Sequence, residues 1–143
     1  MKCKFCKKKI NPFLSFGKMP MANGFLKKKD FRKEFFYNLE VGFCKKDFLF
    51  QVNDHPKSPH IFNNHYPFYT SKSMFMKKHF YNYFKWSKKY LNKKSKIIEI
   101  GSNDGTFLKN FKSAGFTHLG IEPSSNVAIY SRLINKEKVK NEF

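Results

Sequence analysis

Two pairs of residues near the start of the chain have the spacing of a metal site. Cys3-Lys4-Phe5-Cys6 places two thiols two residues apart, the knuckle that lets both reach one tetrahedral ion such as zinc. Cys44-Lys45-Lys46-Asp47 opens a second knuckle, with Asp47 where a fourth thiol is expected. A carboxylate oxygen also ligates zinc, so Cys3, Cys6, Cys44 and Asp47 form a candidate three-Cys, one-Asp centre. His55 and His60 lie close in sequence as alternative fourth ligands. A redox role for the Cys3/Cys6 pair is less favoured, because no thioredoxin-like βαβ pattern surrounds it.

A second constellation lies in Lys96–Glu122, KIIEIGSNDGTFLKNFKSAGFTHLGIE. The apolar run Ile97-Ile98-Glu99-Ile100 reads as a buried parallel strand, and Gly101-Ser102-Asn103-Asp104-Gly105 as a tight turn. Thr106–Ala114 reads as a helix ended by Gly115, and His118–Ile121 as a second strand finishing on Glu122. This βαβ unit aims backbone N–H groups and a helix start at whatever occupies the crevice. The spacing Gly-x-x-x-Gly differs from the dinucleotide fingerprint Gly-x-Gly-x-x-Gly. Glu99 and Asp104 also put negative charge where a pyrophosphate would sit. A cation suits that turn better. S-adenosylmethionine carries a sulfonium and an ammonium, and Glu122 is placed to accept from both ribose hydroxyls. A dinucleotide-dependent enzyme is the weaker reading.

The elements that position these groups divide the chain in three: a loop-rich metal-binding module over 1–60, an aromatic turn and connector helix over 61–95, and an incomplete Rossmann-like sheet over 96–143. Overall this is an α/β chain with a small zinc-ribbon-like N-terminal module. Within the module, Phe16–Leu26 reads as an ordered loop marked by Gly17, Pro20 and Gly24, and Glu34–Val41 as a strand leading to Cys44. His65–Ser73 is a polar-aromatic turn in which Ser71 or Ser73 caps the next helix. From Ser73 to Leu91, aromatic residues at three- and four-residue steps predict an amphipathic helix whose stripe packs on the following domain.

The formal charge of +19, from 29 Lys+Arg against 10 Asp+Glu, raises the alternative of a basic zinc-ribbon-like nucleic-acid-binding module. The lysine pairs are scattered along the whole chain rather than gathered in one block, which points to solvated faces, and nucleic acid is not the favoured partner. No stretch is long and apolar enough to cross a membrane, and the basic N-terminus lacks the apolar segment of a signal peptide. Three cysteines, two of them in one knuckle, suit a reduced, cytoplasmic setting.

The ordered series CxxC, GKMPMANGFL, CxxD, HYPFYTSKS, IIEIGSNDGTFLKNF and GIEPSSNVA resembles the sugar C-methyltransferase family over nearly the whole chain. That family joins an N-terminal zinc-binding domain to a class I methyltransferase domain and a further C-terminal domain. The resemblance implies methyl transfer from S-adenosylmethionine to a ring carbon of a nucleotide-linked keto-sugar. By position, Gly101, Asn103, Asp104 and Gly105 would line the methionine end of the cofactor, with Glu99 before them. Glu122 would hold the ribose, and Pro123 and Ser124 would border the adenine. Tyr66, Ser71, Ser73 and His79 would close over the cofactor, with Tyr66 and His79 as possible contributors to catalysis. Asp47 departs from the family's fourth cysteine. Only 47 residues run from Ile97 to Phe143, so the family's catalytic base and sugar pocket are expected beyond Phe143, and the chain alone is expected to be inactive.

Overall fold

In a computed structural model, residues 1–52 and 56–143 are described, and they fall into two compact units, Met1–Ile61 and Phe62–Phe143. The segment 61–95, read from sequence as a separate connector, belongs almost entirely to the second unit.

The first unit is built on an antiparallel sheet of order β1-β2-β3, with β1 at Pro12–Pro20, β2 at Phe36–Cys44 and β3 at Leu49–Val52. β1 corrects the expected loop over 16–26 as far as Pro20, while 21–26 is a loop as expected. Gly17 does have the left-handed backbone of a turn residue (φ +70), but it sits where the β1–β2 register slips between Ser15 and Lys18. It therefore marks a bulge within a strand rather than the end of one. Pro20 is tolerated because β1 is an edge strand, where a missing N–H breaks no ladder. β2 matches the expected strand but runs on to Cys44, so the strand itself delivers the third thiol. The first knuckle is tied to β3 by Gln51. This buried side chain accepts from the Lys4 amide at 2.8 Å and donates to the Lys2 carbonyl at 3.0 Å. A short helix, α1 at Ser58–Ile61, ends the unit, and Asn23 donates to the Ile61 carbonyl at 2.7 Å.

The second unit is α/β. A 3-10 turn at Thr70–Lys72 leads into α2 at Met74–Lys88, then β4 at Lys96–Ile100, α3 at Leu108–Ser113, β5 at Thr117–Ile121, α4 at Ser125–Leu133 and β6 at Val139–Lys140. The three strands are parallel in the order β4-β5-β6, so the βαβ unit expected from sequence forms and a second crossover extends it. Of the two candidate caps it is Ser73 that caps α2, its Oγ accepting from the Met76 amide at 3.2 Å.

The core of this unit lies between α3, α4 and one sheet face, where Leu108, Val127 and Ala128 are fully buried and Phe111 and Val139 nearly so. The aromatic stripe of α2 packs on α3 as expected. Phe84 meets Phe111 edge-on at 5.0 Å, and Phe80 and Tyr83 stack on Phe107 at 5.1 and 5.2 Å. On the opposite sheet face Ile98 and Ile100 stay 64% and 84% exposed, and among the described residues β4 pairs with β5 only. No helix among the described residues is long and apolar enough to cross a membrane.

Candidate functional site

The fold brings the four metal-ligand candidates together. The donor atoms of Cys3, Cys6, Cys44 and Asp47 all lie within 4.8 Å of one another. Asp47 Oδ2 stands 3.2 Å from Cys3 Sγ and 3.1 Å from Cys44 Sγ, while Cys6 Sγ and Cys44 Sγ are 3.8 Å apart. Zinc bonds of about 2.3 Å to sulfur and 2.0 Å to oxygen would set tetrahedral edges near 3.8 Å for S···S and about 3.5 Å for S···O. The cluster therefore fits zinc in both donor type and spacing, with the oxygen edges slightly contracted.

Local backbone explains how distant residues achieve this. Lys7 and Phe48 adopt left-handed φ of 62 and 52, folding each knuckle back on itself, and the Cys3 amide and carbonyl bond Lys8 and Lys7 across the first. Charge distribution in the cluster is uneven. Asp47, as acceptor for the Cys6 and Cys44 thiols, is held below the ordinary carboxylate range, and the Lys46 ammonium adds to this. The same carboxylate pushes the Cys6 thiol up to about 11. Three thiolates, a carboxylate and a divalent ion would sum to about −2, and Lys4, Lys45 and Lys46 within the knuckles offset that charge. His60 instead packs edge-on against Phe35 at 5.5 Å and is not one of the four donors; His55 lies outside the described residues.

The second site is the acidic crevice of the α/β unit. Asp104 is fully buried. Its Oδ2 accepts from the Ser71 amide at 2.8 Å, and its Oδ1 from Thr106 Oγ1 at 2.6 Å and the Thr106 amide at 3.2 Å. Asn103, left-handed at φ 49, accepts from the Thr70 amide and hydroxyl and donates to the Phe68 carbonyl. These two side chains thus clamp the polar-aromatic turn to the glycine turn. Glu122 is buried at the end of β5, its Oε2 accepting from the Asn103 amide at 2.9 Å and its Oε1 from the Ser124 amide at 2.7 Å.

Glu99 is the unusual member. Burial first, then the charges of Asp104 and Glu122, push its carboxyl up to about 8, and its Oε2 is buried with no hydrogen-bond partner. The two glycines of the turn do different work. A Cβ on Gly105 would stand 2.6 Å from Glu137 Cγ and 2.7 Å from Ser131 Oγ, so Gly105 serves packing. Around Gly101 no atom lies within 4 Å of that position, so the backbone there is open to an approaching group.

Of the other sequence candidates, Tyr66 lies near enough to Glu122 that burial and this carboxylate both raise its phenol. Ser71 joins the site through its amide, Ser73 serves as a helix cap, and His79 is exposed on α2 against Phe80 at 5.5 Å. The Pro123 carbonyl accepts from Asn141 at 2.8 Å. Sequence reading missed Asn126, which donates to the Tyr66 carbonyl at 2.8 Å and the Tyr69 hydroxyl at 2.9 Å. No local pattern announces it, since both partners lie more than fifty residues back.

With this geometry established, comparison with known families bears on the first unit. Residues 3–62 match the family model described as "Putative zinc binding domain", the zinc-binding domain of a methyltransferase-associated family. The match takes in all four donors and stops as the α/β unit begins. Among curated proteins, none matches the chain.

Two expectations follow. Cobalt(II) titration should show one equivalent bound with thiolate-to-metal absorption; zinc should displace it, and Cys44→Ser should weaken binding by about tenfold or more. Unchanged binding in Cys44→Ser would remove the centre. For Glu99, the folded carboxyl is raised from 4.5 to about 8, so the folded state holds an extra proton between those values. Stability is fully present below pH 4.5 and falls as pH rises through 8, by an amount on the order of a few kcal/mol. Urea unfolding followed by the single Trp86 should show this fall in wild type and not in Glu99→Gln. Parallel pH profiles in the two proteins would contradict the assignment.

Proposed function

We propose that the α/β unit is the cofactor-binding part of an S-adenosylmethionine-dependent C-methyltransferase acting on a nucleotide-linked keto-sugar, joined to a zinc-stabilised N-terminal module. The observation that supports the reading best is the convergence of Glu99, Asp104 and Glu122 beside the open backbone of Gly101. A pyrophosphate would meet the charges of Asp104 and Glu122 there, whereas a cation would be favoured by them and by the ionised form of Glu99. Glu99 Oε2, buried without a partner, is the acceptor such a cation would use. Both Glu122 oxygens already accept one backbone N–H each, and each keeps a lone pair for a ribose hydroxyl.

When bound, S-adenosylmethionine supplies an electrophilic methyl group. The residues of this chain would bind and orient it. Asn103 and Asp104 act through the clamp, holding Phe68–Ser71 against the glycine turn rather than offering free oxygens. Tyr66, with its phenol raised by burial and Glu122, stays protonated near neutral pH and suits hydrogen-bond donation rather than proton abstraction. His79, exposed on α2, lies on the solvent side of that helix.

Calorimetry with S-adenosylhomocysteine, which keeps the amino group and the ribose, tests the reading. Wild type should give saturable heat, Glu122→Gln should bind about tenfold more weakly, and NAD should give none. A folded wild type that releases no heat with S-adenosylhomocysteine would overturn it.

A further inference from the structure

The acidic crevice has a basic counterpart that the proposed function does not use. A cavity of about 460 Å³ opens beside the Asp104–Thr106 turn, within the α/β unit. Lys72 from the 3-10 turn, Lys77 from α2 and Lys109 from α3 line it, together with Ser71, Thr106 and Asn135, each of which also bonds Asp104. No carboxylate is among the lining residues. Among the described residues, none of the three ammonium groups has a hydrogen-bond or ion-pair partner. The nearest acid in sequence, Asp104, is fully buried behind Thr106 with both oxygens already accepting hydrogen bonds.

Elsewhere in the chain lysines sit in sequence runs on exposed faces, such as Lys7-Lys8-Lys9. Here three, from three separate elements, converge on one concavity and leave their charge uncompensated. The volume falls in the range of small-molecule sites and exceeds what a single inorganic ion needs. We propose that this cavity binds the diphosphate group of a small molecule, with Lys72, Lys77 and Lys109 as its charge partners. The cavity adjoins the crevice at the Asp104 clamp, yet the charged side chains that line it are lysines alone.

The site is tested by titrating the full chain with pyrophosphate and with uridine diphosphate at about 0.15 M salt, conditions that screen diffuse surface binding. Wild type should bind one equivalent. Lys72→Ala and Lys109→Ala, both substitutions of exposed side chains, should each weaken binding about tenfold, and Lys93→Ala with Lys94→Ala in the linker should leave it unchanged. Tighter binding of uridine diphosphate assigns the group to an ester, and equal or tighter binding of pyrophosphate assigns it to free diphosphate; either supports the site. Absence of binding, or equal losses in the pocket and linker variants, overturns it. S-adenosylhomocysteine binding measured on Lys109→Ala should be intact, so failure here is separable from failure of the cofactor reading.

Discussion

A carboxylate removed wholly from water must be met by donors, or the chain will not fold around it. Asp104 imposes that constraint on the α/β unit. Its two oxygens take the amides of Ser71 and Thr106 and the Thr106 hydroxyl, so one side chain fixes the start of the α3 region and the turn before α2 at once. Asn103 beside it repeats the device one residue earlier, reaching Phe68 and Thr70. The left-handed backbone of Asn103 frees its own amide for Glu122. The turn after β4 is thus joined to the aromatic turn through the Asn103 and Asp104 side chains and to the end of β5 through the Asn103 amide, and the crevice takes its shape from them.

The same arrangement concentrates negative charge in a chain that is otherwise strongly positive. With a formal charge of +19, a ligand carrying phosphates has many lysines to choose from. Three of the ten acidic residues nevertheless gather at the ends of β4 and β5, and the partnerless Oε2 of Glu99 lies among them. In the N-terminal unit the pattern is inverted: Lys4, Lys45 and Lys46 lie within the knuckles that carry the donor cluster. The two units therefore distribute charge in opposite senses: lysines flank the thiol and carboxylate donors in one, and carboxyl groups gather in the other.

The βαβ unit was legible because its strand runs, glycines and terminal acid all lie within one short stretch. The metal quartet was legible from knuckle spacing, including Asp47 in the fourth position. The clamp was not. Asn103 and Asp104 look like ligand-facing turn residues until their partners, more than thirty residues away, are in place. Strand β1 was hidden by Gly17 and Pro20, whose turn signals reflect a bulge and an edge position instead. Strand β6 is only two residues long, too short for any periodicity to announce it. Asn126 and Asn141 act on backbone carbonyls, a role that leaves no pattern in sequence.

The central claim is that this clamped acidic crevice selects the ammonium-bearing nucleoside of the methyl donor over a dinucleotide. Amide NMR of the isotopically labelled chain tests it most directly, because the Gly101, Asn103, Gly105 and Ser124 N–H groups line or support the crevice. Addition of S-adenosylhomocysteine should shift those resonances while leaving those of the N-terminal unit in place, and NAD should move none of them. A folded spectrum unmoved by S-adenosylhomocysteine, or the same resonances moved equally by NAD, would contradict the account.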